Sequence, residues 1–60
     1  MKTTIYWKTN DAKKMKRIRE RFNIPIYTTI NGETPCEIKE EDIELLREVE
    51  KIGYIQIRNK

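Results

Sequence analysis

The stretch "IPIYTTI", Ile24–Ile30, is followed at once by "NG", Asn31–Gly32. β-Branched and aromatic residues alternate through it, which is the pattern of a half-buried strand. Ile26, Thr28 and Ile30 fall on one face, and Tyr27 and Thr29 on the other. Pro25 near its start suits an edge strand, where a missing N–H is not felt. Asn-Gly between two extended runs marks a tight two-residue hairpin turn, because both residues tolerate positive φ. "ETPCEI", Glu33–Ile38, then reads as the returning strand, with Thr34, Cys36 and Ile38 on one face. Pro35 is the one local conflict. If this strand is central, the proline removes a ladder bond, so a bulge or a shortened strand is expected there.

Working outward, "TTIYWK", Thr3–Lys8, is a strand that points Ile5 and Trp7 one way and Thr4, Tyr6 and Lys8 the other. "TND", Thr9–Asp11, supplies helix-start residues. After it Ala12, Met15, Ile18 and Phe22 recur at helical spacing and form one apolar side. Asn23 is a fair end residue, and Pro25 forbids continuation. "KEEDIELLREVEKI", Lys39–Ile52, is the second helix. Its first turn is acidic and Lys51 lies near its end, both favourable to the helix dipole. Leu45, Leu46, Val49 and Ile52 are its expected inward stripe, with Ile43 at the flank. Gly53 is a natural stop. "YIQIR", Tyr54–Arg58, closes the chain as a strand with Ile55 and Ile57 inward and Tyr54, Gln56 and Arg58 outward.

The resulting order is βαββαβ. Two interleaved right-handed crossovers give a four-stranded antiparallel sheet, order 4-1-3-2, with both helices on one face. This α+β two-layer sandwich resembles the ferredoxin-like fold over residues 1–60, as a single domain with no linker left over. That fold hosts many activities, so the resemblance implies none of them.

Sixty residues hold one core. So small a domain buries only roughly 60% of its unfolded surface. With one cysteine, Cys36, and no histidine, an internal disulfide is impossible and no metal site is expected. Stability must come from packing, with self-association as a further route open to the chain. No apolar run approaches a membrane span, and "MKTTIYWKTN" lacks a signal-peptide core, so a cytoplasmic protein is expected. Usage rich in Lys, Ile, Asn and Glu, in so short a chain, points to a bacterial or phage accessory protein. Residues 1–30 carry eight Lys and Arg against two acids, and residues 31–60 carry five against eight.

Three surfaces follow. The first is the open sheet face, on which the alternation places Tyr6, Tyr27 and Tyr54 with Lys8 and Arg58. It partly resembles the sheet of RNA-recognition domains, whose aromatics stack unpaired bases, although here the third strand has no aromatic. Exposed tyrosines also line sheets through strand propensity alone. The second surface is the outside of the first helix, where Lys13, Lys14, Arg17 and Arg21 oppose the apolar stripe and Lys16 and Arg19 flank it. These cations could grip nucleic-acid phosphates, meet an acidic protein, or form a solvated face beside the acidic second helix. The basic helix and the tyrosine face lie on opposite sides of the sheet and cannot be one compact site. The third surface is the edge of the fourth strand, open to pairing in a homodimer.

Catalytic machinery is not expected. The carboxylates sit on a polar helix face, Cys36 has no histidine to activate it, and Gly32 and Gly53 are taken by a turn and a cap. No cofactor is implied. The leading expectation is a non-enzymatic accessory protein associated with nucleic acid. The alternative is a protein–protein interaction module, an inhibitor or adaptor of a mobile genetic element.

Overall fold

A computed structural model describes residues 1–58. Strand β1 (Lys2–Trp7) leads to helix α1 (Ala12–Phe22), strand β2 (Glu33–Glu37), a 3₁₀ turn (Glu40–Asp42), helix α2 (Ile43–Ile52) and strand β3 (Ile55–Arg58). The strands form one antiparallel sheet in the order β2-β1-β3. The expected four-stranded ferredoxin-like sheet, order 4-1-3-2, is therefore corrected to three strands, because Ile24–Ile30 does not join the sheet.

The central place goes to β1, the longest of the three strands. β1 pairs with β2 from Lys2↔Glu37 to Tyr6↔Glu33, and with β3 from Thr4↔Arg58 to Trp7↔Ile55. The β1–β2 register runs unbroken through Pro35, so the expected bulge is absent. The ladder explains why. Met1 and Ile38 exchange two hydrogen bonds, of 2.7 and 2.8 Å, and the Trp7 N–H donates to the Gly32 carbonyl at 3.1 Å. Bonded and non-bonded pairs alternate along an antiparallel ladder. Counting by twos from these ends makes Thr3–Cys36 and Ile5–Thr34 bonded pairs and Thr4–Pro35 a non-bonded one. The Pro35 nitrogen thus faces the free edge of β2, where no ladder bond is lost.

The same proline keeps Ile24–Ile30 out. The Thr29 N–H donates to the Glu33 carbonyl at 2.7 Å, and the Glu33 N–H returns to Thr29 Oγ1 at 3.2 Å. The connection thus holds three residues between Thr29 and Glu33 instead of the expected two. Gly32 takes φ 78°, and Asn31 does not adopt positive φ, so the primed turn expected for Asn-Gly is not made. In this register the next rung would join Tyr27 to Pro35, which has no N–H to donate. Pairing stops after one rung.

The core lies on one sheet face and joins Ile5 and Trp7 of β1, Ile18 and Phe22 of α1, Leu46 of α2, Ile55 of β3, and Ile24 and Ile38 from connecting segments. Trp7 Nε1 donates to the buried Thr34 hydroxyl at 2.8 Å, so the one indole brings no unpaired donor into the core. α1 starts on Asp11, whose carboxylate accepts the N–H groups of Lys13 and Lys14 at 3.0 and 3.3 Å. It ends at Asn23 in the left-handed conformation, φ 57°, which drops Ile24 into the core.

α2 is rotated from its expected orientation. Leu46 is fully buried and Ile43 and Val49 pack on the core, whereas Leu45 and Ile52 are exposed. Ile43, Leu46 and Val49 share the inward side of the helix with Glu50. The Glu50 carboxylate accepts the Ile57 N–H at 2.7 Å, which favours this side. The bond from the Lys8 N–H to the Tyr54 carbonyl, at 3.0 Å, fixes which β3 groups face β1. By the same alternation, Ile57 points its N–H to the free edge. A side-chain carboxylate therefore caps one N–H of the free edge of β3.

Candidate interaction surface

The three tyrosines do not share a surface. Tyr6 stands on the open sheet face between Glu33 and Gln56. The Arg58 guanidinium lies 4.2 Å from its ring centroid and donates through Nη1 to Glu33 Oε2 at 2.8 Å. Arg58 thus crosses the central strand over the tyrosine to reach a buried carboxylate on β2. One face of the Tyr6 ring is therefore taken by a cation. Tyr54 is in the bend before β3, packed against the core, with Lys14 Nζ 5.1 Å from its ring. Tyr27 is in the unpaired segment and 62% exposed. Lys8 is exposed just beyond the end of β1.

The α1 cations divide into bound and unbound groups. Lys14 pairs with Asp11 at 3.7 Å, and Arg21 with Asp42 at 3.3 Å, the latter tying the end of α1 to the turn that opens α2. Such exposed pairs contribute about 0–1 kcal/mol each. Arg19 is a clamp. Its guanidinium sits 4.7 Å from the Trp7 ring, its Nε donates to the Pro25 carbonyl at 3.2 Å, and its Nη2 donates to Thr28 Oγ1 at 2.8 Å. One side chain therefore covers the core tryptophan and holds down the segment that failed to become a strand. Lys13 and Arg17 make no ion pair among the described residues, and neither does Lys16. These three are neighbours at i, i+3 and i+4 on the solvent side of α1. Of the expected phosphate-binding set, Lys13 and Arg17 stay available, Lys14 and Arg21 are engaged, and Lys16 joins from the flank.

Between α1 and the chain that follows it runs a groove of about 530 Å³. Ala12, Met15, Ile24 and Ile26 give it an apolar floor, and Lys16, Arg19, Glu20 and Asn23 form its rim. Beyond it the chain leaves Ile26 86% exposed and Ile30 fully exposed. Ile26 and Ile30 were expected to point into the core. With no ladder to fix an inward face, they face water instead. Sequence reasoning missed this surface because it assigned the same residues to the sheet. The available signal was the pair of prolines, Pro25 and Pro35, placed on either side of the Asn-Gly turn.

Two further features bear on chemistry. Burial pushes the Cys36 thiol above its ordinary value, which keeps it protonated and weakly nucleophilic near neutrality. Among the described residues, no group of three or more histidine, cysteine or acidic side chains is gathered to hold a metal ion, and no helix is long and apolar enough to cross a membrane. Comparison of the chain with protein-family models, curated proteins and solved structures gives no significant match to any of them.

Proposed function

We propose that this chain is a small non-enzymatic protein-interaction module, acting in the cytoplasm as an accessory protein of a bacterium or phage. Its recognition surface is the apolar Ile24–Ile30 segment together with the adjoining groove of α1. The observation that carries this reading is the exposure of Ile26, Tyr27 and Ile30 in one short run beside an apolar-floored groove. Scattered apolar side chains are normal on any surface, but a contiguous set marks a place where something docks. Each isoleucine covered by a partner contributes roughly 1.5–3 kcal/mol before the costs of association. Lys13, Lys16 and Arg17 lie on the same helix, so the favoured partner presents apolar anchors flanked by acidic residues.

Selection from a displayed random-peptide library tests this. Enriched peptides should combine aliphatic or aromatic anchors with Asp and Glu, and should lose binding to Ile26→Ser and Ile30→Ser variants that remain folded. Enrichment indifferent to both substitutions, or no enrichment, removes the reading.

A second reading rests on the adjacency of the unpaired Lys13, Lys16 and Arg17, which suits contact with nucleic-acid phosphates. Three such contacts predict weak, sequence-independent binding that falls with salt as roughly its second to third power. Titration of single- and double-stranded oligonucleotides at two salt concentrations separates this from the protein-binding reading. Loss of binding in Lys13→Ala/Arg17→Ala, with Tyr6→Ala unaffected, assigns any such binding to the helix.

A further inference from the structure

The acidic, apolar-anchored element that this surface calls for is present in the chain itself. On α2, Leu45 is 42% and Ile52 63% exposed. They are seven residues apart, two helical turns, and so lie on one side of the helix, spanning about 10 Å. Glu41, Glu44 and Glu48 are exposed beside them. In its own molecule α2 cannot turn this stripe inward, because Leu46 is fully buried and Glu50 is bonded to Ile57. On α1, the groove extends from Ala12 to Asn23, roughly 16 Å of helix, with Lys13, Lys16 and Arg17 on the adjoining solvent side. One molecule thus leaves two apolar strips uncovered, one bordered by cations and the other by anions, and the stripe is short enough to lie within the length of the groove.

We infer that the groove of one copy receives the Leu45–Ile52 stripe of α2 from a second copy, the acid row of α2 lying over the basic row of α1. This rests on the reading of the groove as a protein-binding surface, and it names the occupant. The two joined surfaces are different, so the contact is heterologous. Glu20 on the groove rim is the one like-charged neighbour that the incoming acids meet. Glu48 already pairs with Lys51 at 3.5 Å, but both side chains are mostly exposed, and such a pair exchanges at little cost. Self-association of this kind also covers apolar surface that so small a core leaves in water.

Sedimentation of the full chain, from micromolar to millimolar concentration and at low and high salt, gives the first readout. The average mass should rise with concentration and fall back toward one chain as salt rises. Two variants at exposed positions test the pairing itself. Ile26→Glu places an acid in the groove, and Ile52→Lys places a cation in the stripe. Each variant alone should sediment as a monomer. Mixed in equal amounts, they retain one intact groove and one intact stripe between them, and should form a dimer of one chain of each. A gentler variant, Lys16→Glu, should weaken association about tenfold, and adding Glu48→Lys to it should restore association. Circular dichroism checks that each variant is folded. A wild-type chain that stays monomeric throughout, a single variant that still associates, or a mixture that does not, each overturns the inference. If the wild type is monomeric but acidic library peptides still bind the groove, only the self-pairing fails. If neither binds, the interaction reading fails with it.

Discussion

Thr3–Trp7 and Ile24–Ile30 draw on nearly the same residue types, threonine, isoleucine and aromatics. The first became the centre of the sheet, with Ile5 fully buried and Trp7 nearly so. The second stayed irregular, with Ile26, Tyr27 and Ile30 in water. Apart from Pro25 at the start of the second, strand propensity does not distinguish them. The difference lies in what each finds alongside. β1 has a neighbour on each side that can complete its hydrogen bonds. Ile24–Ile30 has only the outer edge of β2, where the next donor is missing at Pro35. Propensity describes how a residue fits a pleated surface, and it has no effect until a partner strand offers both halves of the ladder.

The largest effect that breaks or upholds this contrast is truncation of matched isoleucines. Ile5→Ala should cost about 2–5 kcal/mol in chemical denaturation, as a large-to-small change in a packed core. Ile26→Ala should stay within about 0.5 kcal/mol, as a surface change. Equal costs at the two sites would place both segments in the core and end the distinction.

The next effect concerns the clamp. Arg19→Ala removes a cation over Trp7 and two hydrogen bonds to the irregular segment, and should cost about 1–2 kcal/mol. Arg19→Lys should recover only part of this, since an ammonium cannot reproduce the planar fork. If Arg19→Ala is neutral to stability and leaves the Trp7 fluorescence unchanged, the clamp carries no weight.

A smaller change turns one segment toward the other. Pro35→Val supplies the missing N–H at the β2 edge. It should lengthen the hairpin and slow exchange of backbone amides between Ile26 and Thr28 by about tenfold, for a stability change under about 1 kcal/mol. Unchanged exchange in that variant would show that some other feature excludes the segment.

The smallest effect reads the inner face of β2. The Cys36 thiol, raised by burial, should react with a disulfide reagent at neutral pH more slowly than an unburied thiol, and speed up on unfolding. Because the folded state holds its proton to higher pH than the unfolded chain does, this group's contribution to stability is fully present below the unfolded thiol's titration. It is lost as pH rises through the folded value. Stability that rises with alkalinity, and returns to a flat profile in Cys36→Ala, would contradict the placement.

Much of the architecture could be read from residues alone. Both helices, the start of the first at Asp11, and their ends at Asn23 and Gly53 were visible in caps and spacing, whereas the second, expected from Lys39, begins as a 3₁₀ turn at Glu40–Asp42 and becomes α-helical only at Ile43. The inward set Ile5, Trp7, Ile18, Phe22, Leu46 and Ile55 was visible in periodicity. Two features were not legible in the apolar pattern. The exclusion of Ile24–Ile30 depends on which side of β2 the Pro35 nitrogen faces, and that parity is set by a long-range register between β1 and β2. The rotation of α2 brings Ile43, Leu46 and Val49 inward with Glu50, and the bond from Glu50 to an N–H on β3 favours this side over the Leu45–Ile52 side that apolar spacing also offers. The candidate surface inherited both gaps. The tyrosine platform needed a strand that never formed, while the groove, Ile26 and Ile30, and the exposed Leu45–Ile52 stripe arose from the two features that periodicity could not supply.

Residue-resolved amide exchange of the unmodified protein tests the central claim most directly. The amides of Ile5 and Tyr6 should be protected as members of a two-sided ladder, while those of Ile26, Tyr27 and Ile30 should exchange at nearly the rate of an unstructured chain. Strong protection of the Tyr27 amide, accompanied by a short Hα–Hα contact between Ile26 and Cys36, the next non-bonded pair in this register, would show a fourth strand and contradict the account.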